Sequence, residues 1–263
     1  MPNFTFQFLH WNLEFKKLEF KFKQFSVQQD KTAMKVGTDG VLLGAWAPIE
    51  HNPFSVLDIG AGTGIIALML AQRTSADHSS LKGEQAQQID ALEIDENAYE
   101  QAVDNFENSP WSDRLFCFHA GLDEFMDEPD DEYDLIVSNP PFYSEDYKTE
   151  NESRDLARFQ DALPFEDLVE AADLLLSENG ILAVIIPYKE EQKFIGLAND
   201  FDLFPIKITR VKGTPTTEIK RSLLAFSRNK PAQILSDELV IETARHIYTP
   251  EYITLTKDFY LKM

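Results

Sequence analysis

The stretch best equipped for chemistry is Ser138-Asn139-Pro140-Pro141-Phe142. It follows Asp134-Leu135-Ile136-Val137, an apolar run that reads as a short buried strand ending in a loop. Two successive prolines remove two backbone donors and fix two φ angles, so the loop is stiff. A stiff loop that presents one amide and one aromatic ring suits the gripping of a flat, planar amine. On these residues alone, a Pro-rich turn with a chance Asn is the bland alternative.

A second constellation lies upstream. Ser55 to Ile59 reads as a strand, Gly60-Ala61-Gly62-Thr63-Gly64 as a turn, and Ile65 to Ala71 as a helix. Glycines let the backbone turn sharply and approach a ligand, and the N–H groups of a helix start favour electron-rich groups. The dinucleotide fingerprint is G-x-G-x-x-G. Here the spacing is G-x-G-x-G, with Asp58 two residues before the first glycine, which resembles the S-adenosylmethionine (SAM) methyltransferases. Asp58 can cap the glycine turn, hold a ligand, or both. Glu93 ends the next strand, Ile89 to Glu93, where a carboxylate can accept both hydroxyls of a ribose. It lies 29 residues after Gly64, against the usual ~20. The polar segment Thr74 to Gln88 accounts for the excess as an inserted surface loop.

These residues need elements to position them. Phe4, Phe6 and Phe8 alternate with polar residues, as do Leu18, Phe20 and Phe22 with Glu19, Lys21 and Lys23. Period-two patterning marks half-buried antiparallel strands, so residues 1–35 read as a β cap on a main domain of residues 36–263. Lys35 to Gly40 is a turn leading to a short helical segment, Val41 to Trp46. Asn97 to Phe106 has helical spacing, and Leu115 to His119 is a third strand, followed by Ala120-Gly121-Leu122-Asp123. Pro164 to Leu176 reads as an amphipathic helix with Gly180 as its C-cap. Ile181 to Ile186 is a buried strand, Lys189 to Asn199 a helix, and Ile206 to Val211 and Ser222 to Phe226 the last two strands. A helix starting at Thr249-Pro250-Glu251 is expected to continue through Leu255 and Phe259.

Composition narrows the class. The 263 residues include 43% apolar ones, enough for a sizeable core. The longest apolar runs are too short to span a bilayer, and no basic patch with an apolar signal core opens the chain. One cysteine, Cys117 between Phe116 and Phe118, fits a reducing cytoplasm and reads as a buried strand residue. The histidines are scattered and no Cys/His cluster has metal spacing, so no metal is expected. The net charge of −21 argues against bulk nucleic-acid affinity. It is uneven, however: Leu203 to Leu235 carries seven basic residues against Glu218 alone, and Met1 to Lys35 six lysines against three acids. A polyanion could dock on these two regions.

Together the chain resembles a class I SAM-dependent methyltransferase. Asn139-Pro140-Pro141-Phe142 resembles the [DNS]-P-P-[YFW] motif of amino-group methyltransferases. More narrowly, Met34 to Gly40 and Asp258 to Met263 are similar to the bacterial tRNA1(Val) (adenine(37)-N6)-methyltransferase family. The resemblance implies an α/β, Rossmann-like fold: a seven-stranded, mostly parallel sheet with an antiparallel last strand, flanked by helices, with the N-terminal β extension. It implies SAM as cofactor, held by Thr38, Asp39, Asp58, Gly60, Gly62, Gly64, Glu93, Asp123 and Asn139. It implies catalysis by Asn139, Pro140 and Phe142, and tRNA contacts from Lys35, Pro141, Lys212, Lys220 and Arg221. A cytoplasmic monomer without membrane or metal is expected. Two departures stand out: Gly121 replaces the acid that usually ends the third strand, with Asp123 two residues on, and the Thr74 loop is long. Methylation of another planar amine (an rRNA or DNA adenine, or a protein glutamine amide) stays open, as does a non-catalytic scaffold for RNA or protein.

Overall fold

The computed structural model describes residues 18–74, 87–127, 132–141 and 163–263. In order, it contains β1 (Glu19–Lys21), β2 (Ser26–Gln28), α1 (Thr38–Trp46), β3 (Ser55–Ile59), α2 (Ile65–Thr74), β4 (Gln88–Glu93), α3 (Glu96–Glu107), β5 (Leu115–His119), α4 (Leu122–Asp127) and β6 (Tyr133–Ser138). Then come α5 (Phe165–Leu175), β7 (Leu176–Pro187), a 3-10 turn (Tyr188–Glu190), α6 (Glu191–Asp200), β8 (Phe204–Lys212), β9 (Ile219–Ser227), β10 (Leu235–Val240), β11 (Glu242–Ala244), β12 (Ile247–Tyr248) and α7 (Pro250–Thr256). The Phe4-Phe6-Phe8 alternation, most of the Thr74 insertion and Phe142 lie outside the described residues.

The central sheet runs β10-β8-β9-β7-β6-β3-β4-β5. Only β9 is antiparallel to its neighbours, β7 and β8. Strand residues alternate between two core layers, because a parallel sheet covered by helices buries both faces. In β7, Ile181, Ala183 and Ile185 face the layer with α1, α2 and Phe106 of α3, while Leu182, Val184 and Ile186 face the layer with α5 and α6. Of these, each fully buried Leu, Val or Ile contributes about 1.5–3 kcal/mol.

The expected seven strands are present, and an eighth lies beyond them. Strand β10 pairs in parallel with β8, Leu239 beside Val211. Its Leu-Ser-Asp-Glu-Leu-Val sequence is mostly exposed and buries only Leu239, so it shows no alternation. Backbone pairing along the sheet edge holds it.

Two boundaries also differ from expectation. Helix α5 ends at Leu175 and β7 begins at once, so Gly180 lies inside the strand rather than at a helix cap. It occupies the register irregularity opposite β6, where an added Cβ would stand 2.8 Å from the Tyr133 carbonyl. Helix α7 starts as expected, with Thr249 accepting from the Tyr252 N–H at 3.2 Å, but stops at Thr256. The chain then turns so that the Phe259 carbonyl accepts from Lys23 N–H at 2.8 Å, and Tyr260 bridges Phe22. The β1–β2 hairpin is thereby fastened to the C-terminal segment, with Phe22 stacked on Phe25 at 4.7 Å and on Tyr260 at 5.9 Å.

Candidate active site

Strand register brings the candidate residues to one edge. Ile59 pairs with Leu92 on one side and Ser138 on the other, so Gly60, Glu93 and Asn139 leave the carboxyl ends of three adjacent parallel strands. That edge is where open α/β sheets bind ligands. Gly60 N–H and Ala61 N–H both donate to the Leu92 carbonyl, at 3.0 and 2.9 Å, which bends the loop over β4. Glu93 is buried; its Oε2 accepts from Gly62 N–H at 2.7 Å and its Oε1 from Asp95 N–H at 2.9 Å. Each oxygen keeps further acceptor capacity, so the carboxylate is aimed and still able to take hydroxyl donors.

The three glycines divide by role. Gly60 and Gly62 have φ of +75° and +57°, and a Cβ on either would meet nothing within 4 Å. They face open space, as a cradle for a ligand requires. Gly64 also has φ +75°, but its Cβ would come within 2.4 Å of the Phe106 ring. It permits the close packing of α3.

Asp58 is fully buried beneath the loop. Its Oδ2 accepts from Ala67 N–H at 3.2 Å, and its Oδ1 has no partner among the described residues. Burial raises its pKa to about 7, the Ala67 bond opposes this, and the Glu93 charge adds to it. An orphaned carboxylate oxygen at the base of an open glycine loop fits a ligand with a cationic amino-acid end.

Thr38 and Asp39 form the first turn of α1. The cap position is Gly37, with no side-chain cap bond, so capping does not account for the Thr38 hydroxyl. Asp39 Oδ2 accepts from Arg221 Nε at 2.8 Å, which joins a residue expected at the cofactor to one expected at the tRNA. Asp123 is exposed on the first turn of α4, beside Gly121, and Gly121 lies against Ile94. Asn139 and Pro141 are half-buried and Pro140 is buried. Ser138 Oγ donates to the Ile59 carbonyl at 2.9 Å, which pins the start of the Asn-Pro-Pro loop to the glycine strand.

Sequence reasoning passed over two polar residues on the buried face of α3. Asn105 Oδ1 accepts from Gln28 N–H at 2.8 Å, and its Nδ2 donates to the Gln28 and Thr63 carbonyls, both at 2.9 Å. Gln101 Oε1 accepts from Lys31 N–H at 3.0 Å. These two side chains clamp the segment leading to Thr38 against the glycine loop. The signal was present: Gln101 and Asn105 share the buried face of α3 with Ala98, Ala102 and Phe106.

The basic stretches behave differently from their charge count. Lys212 pairs with Glu238 at 2.6 Å, Arg221 with Asp39 and Arg228 with Asp173 at 2.6 Å. Arg210 grips Glu191 at 2.7 Å. Burial works against the Glu191 charge, but the Arg210 guanidinium and the Ser222 hydroxyl outweigh it and hold the carboxyl below its usual range. Lys21 pairs with Glu19, and Lys31 with Glu100 and Asp104. The Lys35 ammonium donates to the Gln29 and Thr32 carbonyls. Lys220 is exposed and makes no ion pair among the described residues.

Comparison with known proteins is consistent with this edge. Residues 42–206 match the family model "Methyltransferase small domain". A Flavobacterium johnsoniae protein named tRNA1(Val) (adenine(37)-N6)-methyltransferase is 79% identical over 244 residues, spanning 93% of this chain and 100% of the relative. The chain belongs to the tRNA1(Val) (adenine(37)-N6)-methyltransferase family. A Trichodesmium erythraeum relative of the same name is 46% identical over 93% of this chain and 98% of its own. Among solved structures, "a predicted O-methyltransferase" from Agrobacterium tumefaciens shares the fold, with a TM-score of 0.62, 20% identity, and coverage of 84% of this chain and 96% of that one. This family member is a methyltransferase, and its methyl donor is SAM. Among the described residues, no helix is long and apolar enough to cross a membrane.

Proposed function

We propose that the chain transfers the methyl group of SAM to N6 of adenine 37, beside the anticodon of tRNA1(Val). One observation carries the reading: the Asn139 loop leaves β6 next to the glycine loop, with Ser138 bonded to Ile59. An amine held by that loop stands beside a donor held by the glycine loop.

The Gly60–Gly62 cradle, Asp58, Glu93, and Thr38 and Asp39 hold the cofactor. Glu93 is suited to the ribose and Asp58 to the cationic amino-acid end. When bound, SAM supplies an electrophilic methyl on a sulfonium sulfur. An exocyclic amine on an aromatic ring is a weak nucleophile, because its lone pair is delocalised. Asn139 Oδ1 and the Pro140 carbonyl accept its two hydrogens and favour a pyramidal nitrogen with the lone pair directed at the methyl. The bound donor would give up its methyl to that nitrogen and leave as the neutral thioether, and the nitrogen would release one proton to solvent. Phe142 stacks on the base, and positioning supplies most of the acceleration. An unpaired loop base costs less to extrude than one in a duplex.

For tRNA docking, Lys220 offers a cation with no ion pair among the described residues, Pro141 a rigid rim, and Arg221 a guanidinium that can exchange Asp39 for a phosphate. Lys35 and Lys212 are committed to carbonyls and to Glu238, so their part is to shape the surface. The site of action is the cytoplasm, with the chain as a monomer. Radiolabelled transfer from SAM to bulk tRNA, followed by nucleoside digestion, tests the reading. Label is expected in N6-methyladenosine; label in another nucleoside overturns the substrate.

A further inference from the structure

Beyond the Asn139 loop, the same edge carries an exposed aromatic ring with no part in the chemistry above. Ser138 pairs with Val184 of β7, and Tyr188 follows the last residue of that strand. Pro187 stands about 10 Å past the level of Ser138, three strand residues on, and Tyr188 is the next residue, the first of the 3-10 turn. The residue is 41% exposed. On the other side Pro187 pairs with Arg221, so the turn between β8 and β9 rises next to Tyr188. Between them lies a cleft of about 410 Å3, lined by Tyr188, Lys212, Thr216, Thr217, Glu218 and Ile219. This volume is near the lower end for small-ligand sites and suits a single flat ring.

The cleft's chemistry is that of a base-stacking platform. Single-stranded RNA is read by splayed bases stacked on aromatic side chains, with cations nearby for the phosphates. Tyr188 supplies the π face and Ile219 an apolar floor. The Thr216 hydroxyl makes only a long contact, 3.4 Å, to the Thr214 hydroxyl and can exchange it for a base edge, whereas Thr217 Oγ1 accepts from the Thr214 N–H at 2.9 Å. Lys212 is neutralised by Glu238, and Glu218 adds a negative charge, so the cleft itself does not attract phosphate. Lys220, two residues past Glu218, is placed to take the backbone instead.

We propose that Tyr188 stacks on the base of a nucleotide flanking the target adenine, seated in the cleft between the 3-10 turn and the β8–β9 turn. This rests on the RNA substrate of the preceding reading. Stacking on one base is worth enough to change affinity roughly 5- to 150-fold. It fixes register: with a flanking base held in the cleft, the target adenine is the one delivered to Asn139.

The test uses the full chain, SAM, and an anticodon stem-loop RNA with an intact or abasic nucleotide on either side of the target. Tyr188→Ala is expected to raise KM for RNA about tenfold, with kcat within about twofold and SAM affinity unchanged. Tyr188→Phe is expected to behave as the parent. At one flanking position, the abasic RNA should cost the parent the same factor and cost Tyr188→Ala nothing more, as required of two groups that touch. Should the Ala variant fail to fold, Tyr188→Leu fills the volume without a π face and runs the same comparison. An unchanged KM, or losses that simply multiply at both positions, overturns the stacking role. A parent enzyme that methylates no RNA overturns the substrate reading, and this inference with it.

Discussion

The two halves of the sheet's carboxyl edge solve opposite problems. Around β3, β4 and β6, polar groups are aimed and left with capacity: among the described residues, Asp58 keeps an orphaned oxygen, and Glu93 is bound only by backbone N–H groups. Around β8, β9 and β10, charges are consumed by one another, as in Arg210–Glu191, Lys212–Glu238 and Arg221–Asp39. The first half is organised for a ligand that the chain must complete. The second is organised as a stable platform, with Lys220 and Tyr188 exposed on it. Charge count alone therefore does not tell which cations are available to a polyanion; the partner each already holds must be counted too.

Substitutions can break or sharpen this contrast. The largest effect is expected at Asn139. Asn139→Ala should lower single-turnover methyl transfer by about 10³-fold, the upper range for loss of one preorganised polar group, with SAM affinity within about threefold by calorimetry. Equal activity would remove the proposed amine grip. Next is Glu93→Ala, which removes a carboxylate poised for charge-assisted bonds of about 1.5–3 kcal/mol each. SAM affinity should fall about 10²-fold, and tight SAM binding by this variant would exclude the ribose role.

On the platform half the effects are smaller. Lys220→Glu should raise KM for tRNA severalfold and flatten its salt dependence, since phosphate contacts release counterions. Lys212→Ala should change KM less than twofold, because Glu238 already neutralises that lysine. If the two variants behave alike, pairing does not decide which cations bind.

The smallest effect concerns pH. Asp58 has a folded pKa of about 7, above its ordinary 3.8, so between these values the folded chain binds more protons than the unfolded one. Its contribution to stability is present at low pH and is lost as pH rises through 7. The thermal midpoint of the SAM-free protein should therefore fall between pH 5.5 and pH 8 by a few degrees more than that of Asp58→Asn. Parallel pH profiles would show that Asp58 is not proton-linked to folding.

How much was legible in sequence follows the same division. The glycine loop, Glu93 and the Asn-Pro-Pro loop are local signals: each sits at a strand end, and strand register alone brings them together. The family-like segments Met34 to Gly40 and Asp258 to Met263 were legible too, and Tyr260 of the second bridges Phe22, which follows β1. Charge partners were not legible. Lys212 meets Glu238 and Arg221 meets Asp39 only because β10 runs along β8 and α1 packs near the start of β9. Strand β10 itself escaped notice because an edge strand with one buried residue has no pattern to read. Gly180 misled for a related reason: a glycine signals a special backbone position without saying whether a helix or a strand bulge demands it.

The central claim is tested most directly with two tRNA1(Val) transcripts, one native and one carrying guanine in place of adenine 37, each incubated with the chain and radiolabelled SAM. One methyl group per native transcript and none in the substituted transcript is the predicted result. Equal label in both would contradict methyl transfer to adenine 37.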